Sequence, residues 1–344
     1  MPNYFTIRTR VLSYLVERRA VLWTVGLTAA LLVLTCISAG VGSLWIPPLE
    51  VTKGALGFGD ETTRTVLYSF RLPRAVMAIL AGACLAGSGA LLQSVSRNAL
   101  ASPDMIGITG GAAAAGVAFL VLSAGAASLF WLPLAAIAGA VFITLVLFGL
   151  SWNGGVSPLR LVLIGVALQT AAGSLSSMLI IMSPHYLANQ AFTWLTGSVY
   201  GSSWNNVAAL WPWALGLGSV AWALARKANV QGLGEDVATS VGSRVSRDRT
   251  ALLLVSAALA GAAVSQVGAI GFVGLIAPHM ARRLVGPSFG AVLPVASCIG
   301  AMLLLAADTI GRTAFPPEDI PAGVFTAAIG APFFIYLLVR RIAR

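Results

Sequence analysis

The strongest constraint on this chain is a succession of apolar stretches, each close to the length that crosses a lipid bilayer. A membrane-spanning helix needs about 20 apolar residues, and the 344 residues contain ten such stretches. Only 9% of the residues are charged, whereas a soluble domain carries about 25% charged residues. We therefore predict an all-α, polytopic membrane protein of about ten transmembrane helices.

The predicted spans leave no room for a second domain. They cover residues 20–42, 71–95, 105–122, 129–150, 159–183, 205–225, 250–268, 270–285, 288–309 and 321–339. The third and eighth are short for a complete crossing. No linker or low-complexity tail separates the spans, so residues 1–344 are predicted to form a single transmembrane domain. The first span has the basic start of a signal peptide, but its length and the nine spans after it favour an uncleaved helix.

The basic residues are distributed unequally about these spans. If the N-terminus is cytoplasmic, 16 of the 21 Lys and Arg residues fall on the cytoplasmic side and 5 on the other. The positive-inside rule then predicts that both termini are cytoplasmic, together with an N-terminal segment 1–19 and a loop 226–249. The net charge of +10 is spread along membrane flanks and forms no patch, which argues against nucleic acid as a partner.

Charged and turn-forming residues stand at both ends of the second span. It begins with Arg71-Leu-Pro-Arg74 and is followed by Asn98-Ala-Leu-Ala-Ser-Pro-Asp-Met-Ile-Gly107. Charge beside a membrane span is costly and usually functional. Asn98, Pro103 and Asp104 are therefore candidates for a structural or gating role.

Two later segments combine apolar helices with isolated charge. In Gly268–Gly286, Pro278 is predicted to break or kink the end of a span, which leaves His279 and Arg282 one turn apart at the cytoplasmic face. His279 has no acid or nucleophile beside it, so a hinge or a helix-end bond is expected rather than catalysis.

The second of these segments carries Asp308 and Arg312, which can pair at a spacing of four residues. They form either an internal pair at a helix end, or a site in which Arg312 joins Arg71 and Arg74 in a basic patch on the outer face.

The loop 226–249 is the largest cytoplasmic loop and is predicted to form two short helices. Two acids would occupy the first turn of one helix, where its dipole favours them, and Gly242 would end it. Val237, Ala238 and Val241 would share one face. Such a knob fits a groove on a partner protein, although a solvated connector is the alternative. The assigned residues are Leu233, Gly234, Glu235, Asp236, Val237, Ala238, Val241 and Gly242.

Several classes of site have no counterpart in the sequence. There is no G-x-x-x-x-G-K-[S/T] loop for ATP, no H-E-x-x-H and no G-x-S-x-G. The three cysteines lie in apolar stretches without C-x-x-C spacing, and the two histidines are far apart, so neither a metal site nor catalytic residues are expected. An ion-coupled secondary transporter would need acids within its spans, and Asp308 is the one candidate.

The motifs, in their order, resemble those of the FecCD-type permeases. Residues Gly268–Gly286 are similar to the family pattern G-x-I-x-F-V-G-L-x-x-P-H-x-x-R, and Leu233–Gly242 is similar to the helices that grip the ATPase. Trp194-Leu-Thr-Gly-Ser198 resembles the family's W-x-x-G-S element, although an interfacial aromatic belt is the alternative. The resemblance covers about residues 45–340 and departs at Ala99, where proline is usual.

The resemblance implies the architecture of a type II ABC importer permease, which moves ferric siderophores across the cytoplasmic (inner) membrane of a bacterium. Cobalamin or haem is the alternative cargo. ATP and magnesium would be held by a partner ATPase dimer, with no cofactor in this chain. A second permease chain, identical or sister, would complete the dimer, and a periplasmic or extracellular binding protein would dock on Arg71, Arg74 and Arg312.

A weak internal repeat relates two small-residue segments. At an offset of 179 residues, Ala81-Gly82-Ala83, Gly89-Ala90 and Gly107 match Ala260-Gly261-Ala262, Gly268-Ala269 and Gly286. The copies are five spans apart, an odd number, so they would be inverted in the membrane, as is common in transporters. Chance matching in a sequence rich in small residues is the alternative.

Overall fold

Helices account for almost all of the regular structure. The computed structural model describes residues 4–8, 13–42, 44–55, 57–58, 60–123, 128–151, 158–314 and 318–342. The elements are β1 (Tyr4–Arg8), β2 (Ser13–Glu17), α1 (Arg18–Gly40), α2 (Pro48–Ala55), α3 (Glu61–Val66), a π-helical turn (Leu67–Arg71), α4 (Leu72–Ser96), α5 (Ile108–Leu122), a 3-10 turn (Leu129–Trp131), α6 (Leu132–Ser151), α7 (Pro158–Ile181), α8 (His185–Leu195), α9 (Trp204–Ala223), α10 (Ala225–Gly232), α11 (Glu235–Ser240), α12 (Val245–Val267), α13 (Val273–Val285), α14 (Phe289–Thr313) and α15 (Ala322–Ile342).

The ten predicted spans each contain one of these helices, and the prediction of a helical polytopic membrane protein is confirmed. Within the part of the chain that the structure describes, seven helices are long and apolar enough to cross a membrane, and α9 with α10, bent by 54°, makes an eighth if the pair is one span. The other two predicted spans are α5, with 15 residues, and α13, with 13 residues. At 1.5 Å per residue, α13 is about 20 Å long and cannot cross a bilayer core of about 30 Å.

The N-terminal segment departs from the all-α expectation. Strands β1 and β2 pair in an antiparallel hairpin, with Tyr4 opposite Glu17 and Arg8 opposite Ser13. The hairpin runs directly into α1. Of the three cysteines, Cys84 is buried in α4, whereas Cys36 and Cys298 are partly exposed.

Small residues let the central helices approach closely. A Cβ added to Gly82 in α4 would lie 2.3 Å from the carbonyl oxygen of Gly300 in α14. In the same region the hydroxyls of Ser88 in α4 and Ser256 in α12 each reach the other residue's carbonyl oxygen, at 2.7 and 2.9 Å. Close packing of this kind replaces the hydrophobic effect between helices in lipid.

The packing of the central helices is consistent with an inverted repeat, because a helix from each half of the chain packs against the other half. Helix α4, from the first copy, packs on α14, and α12, from the second copy, packs on α6, while α4 and α12 also pack on each other. Gly82 faces Gly300 in α14, and its repeat partner Gly261 faces Ala136 and Ile137 in α6. The reciprocal serine contact lies between the two copies. The two helices that carry the repeated small-residue segment, α4 and α12, therefore each pack against a helix of the opposite half.

Two ends of the bundle carry the charged residues discussed above. At one, which we call the Asp308 end, α1 and α14 finish and Arg71 and Arg74 stand near the start of α4. At the other, which we call the Glu235 end, α10 and α11 lie between α9 and α12. Glu61–Ser96 is continuously helical over 36 residues, about 54 Å, so its first turns extend past a bilayer core of about 30 Å.

Candidate functional site

At the Asp308 end, Arg74 is held by two carboxylates from distant parts of the chain. Its Nε and Nη2 donate to Oδ1 of Asp308 at 2.9 and 2.7 Å. Its Nη1 and Nη2 donate to the two carboxylate oxygens of Asp319 at 2.6 and 2.8 Å. The ring of Tyr200 lies 5.5 Å from the guanidinium carbon, within the range of a cation–π contact.

Arg71 at the same end binds backbone oxygens instead of carboxylates. Its Nη1 donates to the carbonyls of Ala39 and Gly40 at 2.7 and 3.0 Å, and its Nη2 donates to Leu44 at 2.5 Å. The last carbonyls of a helix have no partner within the helix, and the helix dipole there favours cations. Arg71 therefore caps the end of α1.

Arg312 caps the same helix end from the other side. It donates to the carbonyl of Val41 at 2.7 Å and to the carbonyl of Ser38. A Cβ added to Gly42 would lie 2.8 Å from Nη2 of Arg71 and 3.4 Å from Nη1 of Arg312. The two guanidiniums thus enclose the backbone just beyond α1, and a side chain at position 42 would push them apart.

The predicted pairing of Asp308 with Arg312 is present but secondary. Arg312 Nε lies 3.9 Å from Asp308, whereas Arg74 Nη2 lies at 2.7 Å. The side chains of Arg74 and Arg312 are 14% and 13% exposed. The structure brings Arg71, Arg74 and Arg312 together as expected, but each is bound within the chain, as in the internal alternative. Sequence analysis did not single out Asp319 or Tyr200.

At the Glu235 end, the predicted knob forms a short helix with an exposed apolar surface. Leu233, Val237 and Val241 are 65%, 46% and 64% exposed, whereas Ala238 is fully buried. The expectation that Ala238 shares a face with the two valines is therefore wrong: Ala238 faces the bundle and lets α11 pack closely. Gly234 and Gly242, at φ of 111° and 80°, supply the left-handed turns on either side.

Ion pairs fix this knob to α12. Arg249, whose side chain is 5% exposed, donates to Glu235 at 2.5 Å. The Nζ of Lys227 lies 2.7 Å from Asp248, which also accepts a hydrogen bond from the Ser243 hydroxyl at 2.9 Å. Glu235 and Asp236 lie in the first turn of α11, as predicted. The knob is thus held in one orientation relative to a helix of the core.

The segment after α4 folds back into the bundle. Helix α4 ends at Ser96, and Arg97 takes a left-handed conformation, φ 50°. A Cβ added to Gly274 would contact both Pro103 and the carbonyl of Leu85. Leu85 precedes Ser96 by eleven residues, or about 16 Å along the helix. The predicted turn at the end of the span is therefore partly a re-entrant segment.

The re-entrant segment and α13 meet at Asp104. One carboxylate oxygen of Asp104 accepts the backbone N–H of Phe272 at 3.3 Å, immediately before the first turn of α13. Phe272 has a positive φ of 67°, which is costly for an aromatic residue. Asn98 closes the beginning of the segment by accepting the N–H of Leu100 at 3.1 Å.

Of the break or kink predicted at Pro278, the break is wrong, because α13 continues for seven residues beyond it; the kink stays a prediction. Pro278 is buried within the helix. His279 meets the ring of Phe333 edge-on at 5.8 Å, and Arg282 donates to the side chain of Gln93 in α4. These contacts tie α13 to α15 and α4.

Within the described ranges, no group of three His, Cys, Asp or Glu residues is placed to hold a metal ion. A comparison with protein families matches residues 30–340 to the FecCD transport family. The chain belongs to this family. It is the permease subunit of an ABC importer and is not itself the enzyme.

Individual relatives match over nearly the full length. The chain is 50% identical over 320 residues to the "Probable siderophore transport system permease protein YfhA" of Bacillus subtilis, with 92% of each chain covered. It is 45% identical to the achromobactin transport system permease protein CbrC of Dickeya dadantii, with 94% of each covered. A solved structure described as "An inward-facing conformation of a putative metal-chelate type ABC transporter" matches with a TM-score of 0.80 and 30% identity, covering 92% of this chain and 98% of the other.

Proposed function

We propose that this permease carries ferric-siderophore complexes inward across the bacterial cytoplasmic membrane. The observation that carries the proposal is the 50% identity to a siderophore permease over 92% of both chains. Similarity to a metal-chelate type transporter structure supports the same class of cargo. In this proposal the energy comes from ATP and magnesium bound to a separate ATPase dimer, and a second permease chain, identical or sister, completes the pathway.

The knob at the Glu235 end is proposed to grip the ATPase. Three apolar side chains, Leu233, Val237 and Val241, are exposed on it, and an exposed apolar surface at the end of a bundle suits a protein partner. The 2.5 Å pair of Glu235 with Arg249 ties the knob to α12. A displacement of the knob by the ATPase would therefore reach the core of the bundle through α12.

The Asp308 end is proposed to face outward and to receive the binding protein. The positive-inside distribution of Lys and Arg supports this orientation, with both termini in the cytoplasm. Arg71, Arg74 and Arg312 concentrate positive charge there, which would attract acidic residues on the partner and fix its orientation. The residues proposed to have a structural or gating role are Asn98, Pro103, Asp104, Pro278, His279, Arg282 and Asp308.

Uptake measurements test the cargo. Iron-starved cells with and without the chain are given radioiron as several purified siderophore complexes, and labelled cobalamin and haem are followed in parallel. We expect loss of uptake of one ferric-siderophore class, restored by the wild-type chain. Loss of cobalamin or haem uptake alone, with every siderophore unaffected, would contradict the proposed cargo and leave the permease assignment intact.

Co-purification tests the ATPase contact. The double variant Glu235→Ala/Val237→Asp should lose the co-purifying ATPase and uptake together, because it removes the anchor to Arg249 and places charge on the apolar surface. Ser240→Ala on the same helix, whose side chain is exposed, is the matched control and should retain both. Full association of the ATPase with the double variant would exclude this surface.

A further inference from the structure

The three arginines at the Asp308 end differ in the kind of acceptor that holds them. Arg71 and Arg312 donate to carbonyls at the end of α1, and these bonds cannot be exchanged without freeing the helix terminus. Arg74 is held by two side-chain carboxylates. A hydrogen-bonded carboxylate can be replaced by another carboxylate with little loss of binding free energy, since the guanidinium donors keep the same geometry.

The two carboxylates that hold Arg74 are also unequal. Asp308 lies within α14 and its side chain is 2% exposed, whereas the Asp319 side chain is 24% exposed. Asp319 precedes α15 in a connection whose backbone is tied to α14 one residue later, through Ile320 N–H and Gly311 O at 3.2 Å. Only the Asp319 side of Arg74 is therefore within reach of a partner. The exposed ring of Tyr200 covers the same guanidinium.

We propose that Asp319 is an internal substitute for an acidic residue of the binding protein, which displaces it from Arg74 when the two proteins dock. This inference rests on the proposed docking at the Asp308 end and specifies how it works. Arg74 is the exchangeable contact, and Arg71 and Arg312 are positioning residues that shape the surface. In the undocked permease Asp319 accepts from Nη1 of Arg74, whereas Asp308 accepts from Nε and Nη2, so Asp319 supplies the acceptor that the docked partner would replace.

Replacement of Asp319 by a carboxylate of the partner explains how Arg74 can take part in docking although it is largely buried. A carboxylate from outside need not find a free arginine, because it needs only to replace Asp319, whose side chain is 24% exposed. Arg74 stays paired with Asp308 at 2.7 Å throughout. The released Asp319 is solvated at the edge of the interface, where a charge costs little. Binding is therefore weakened by Asp319 and strengthened when its charge is removed.

The test measures the affinity of the full permease–ATPase complex, in lipid nanodiscs, for the binding protein that supports radioiron uptake in the same cells. Asp319→Asn should lower the dissociation constant about fivefold, or about 1 kcal/mol. Glu318→Gln removes the same charge one residue away, where the side chain is exposed, and should change it less than twofold. Asp319→Asn leaves the buried Arg74–Asp308 pair in place, so the fold is expected to persist.

The outcomes separate this inference from the docking proposal. If Asp319→Asn and Glu318→Gln act equally, the effect is general surface charge and the exchange is wrong. If Asp319→Asn weakens binding, Asp319 contributes to the interface and does not compete with the partner. If Arg74→Gln, checked for monodispersity, binds as well as wild type, docking does not use Arg74 and both proposals fail there.

Discussion

Single side chains at the Asp308 end show what local spacing can and cannot predict. Asp308 and Arg312 are four residues apart, so their proximity follows from helical geometry alone. The shorter bond, from Asp308 to Arg74, joins residues 234 positions apart, and no local pattern contains it. Asp319 was missed for the same reason. An acid in the connection before the last helix faces an arginine only because α4 and α14 pack together.

Removal of the Asp308 charge should destabilise the permease more than removal of Asp319. Asp308 is buried, with guanidiniums at 2.7 and 3.9 Å, and breaking a buried pair costs about 3 kcal/mol. Asp319 is partly solvated and should cost about 1 kcal/mol. We expect unfolding temperatures in detergent in the order Glu318→Gln, Asp319→Asn, Asp308→Asn, from highest to lowest. Equal values for the last two would contradict the different roles assigned to these carboxylates.

The sequence predicted where the helices lie in the chain, but it did not predict which side chains of each helix face the bundle. Each of the ten predicted apolar stretches contains a helix, because hydrophobic length is a local property, although within the described residues only seven or eight of these helices are long enough to cross a membrane. The sequence also located α11, through its acids and glycines. It did not show that Ala238 faces inward, because a six-residue helix has too few positions to define a face. Pro278 does not end its helix, because a buried proline is tolerated where neighbouring helices hold the chain.

Helix contact between α4 and α14 should depend on the absence of a side chain at position 82. A Cβ there would lie 2.3 Å from the Gly300 carbonyl oxygen, a backbone atom that cannot move aside. Gly82→Ala should therefore lower the unfolding temperature by several degrees, at a cost of about 2 kcal/mol. Gly216→Ala in α9, where nothing lies within 4 Å of the added Cβ, is the control and should be nearly neutral.

At the scale of the whole molecule, the sequence predicted the order of the long helices but not the path between them. The third and eighth predicted spans, which contain α5 and α13, were noted as short, but the re-entrant course of Pro103 beside Leu85 was not predicted. That course depends on Gly274, which lies 171 residues after Pro103 and makes room for it. The distribution of charge nevertheless predicts which end of the bundle faces each side of the membrane.

Orientation can be measured directly by cysteine labelling. In a chain whose three cysteines are replaced by alanine, Arg64→Cys reports on the Asp308 end and Arg247→Cys on the Glu235 end; both native side chains are exposed. A membrane-impermeant maleimide should label Arg64→Cys in cells with an intact cytoplasmic membrane, and Arg247→Cys only after that membrane is permeabilised. The reverse pattern would place the knob outside, where it would meet no ATPase. Both proposed interfaces would then fail together, because each depends on the same orientation.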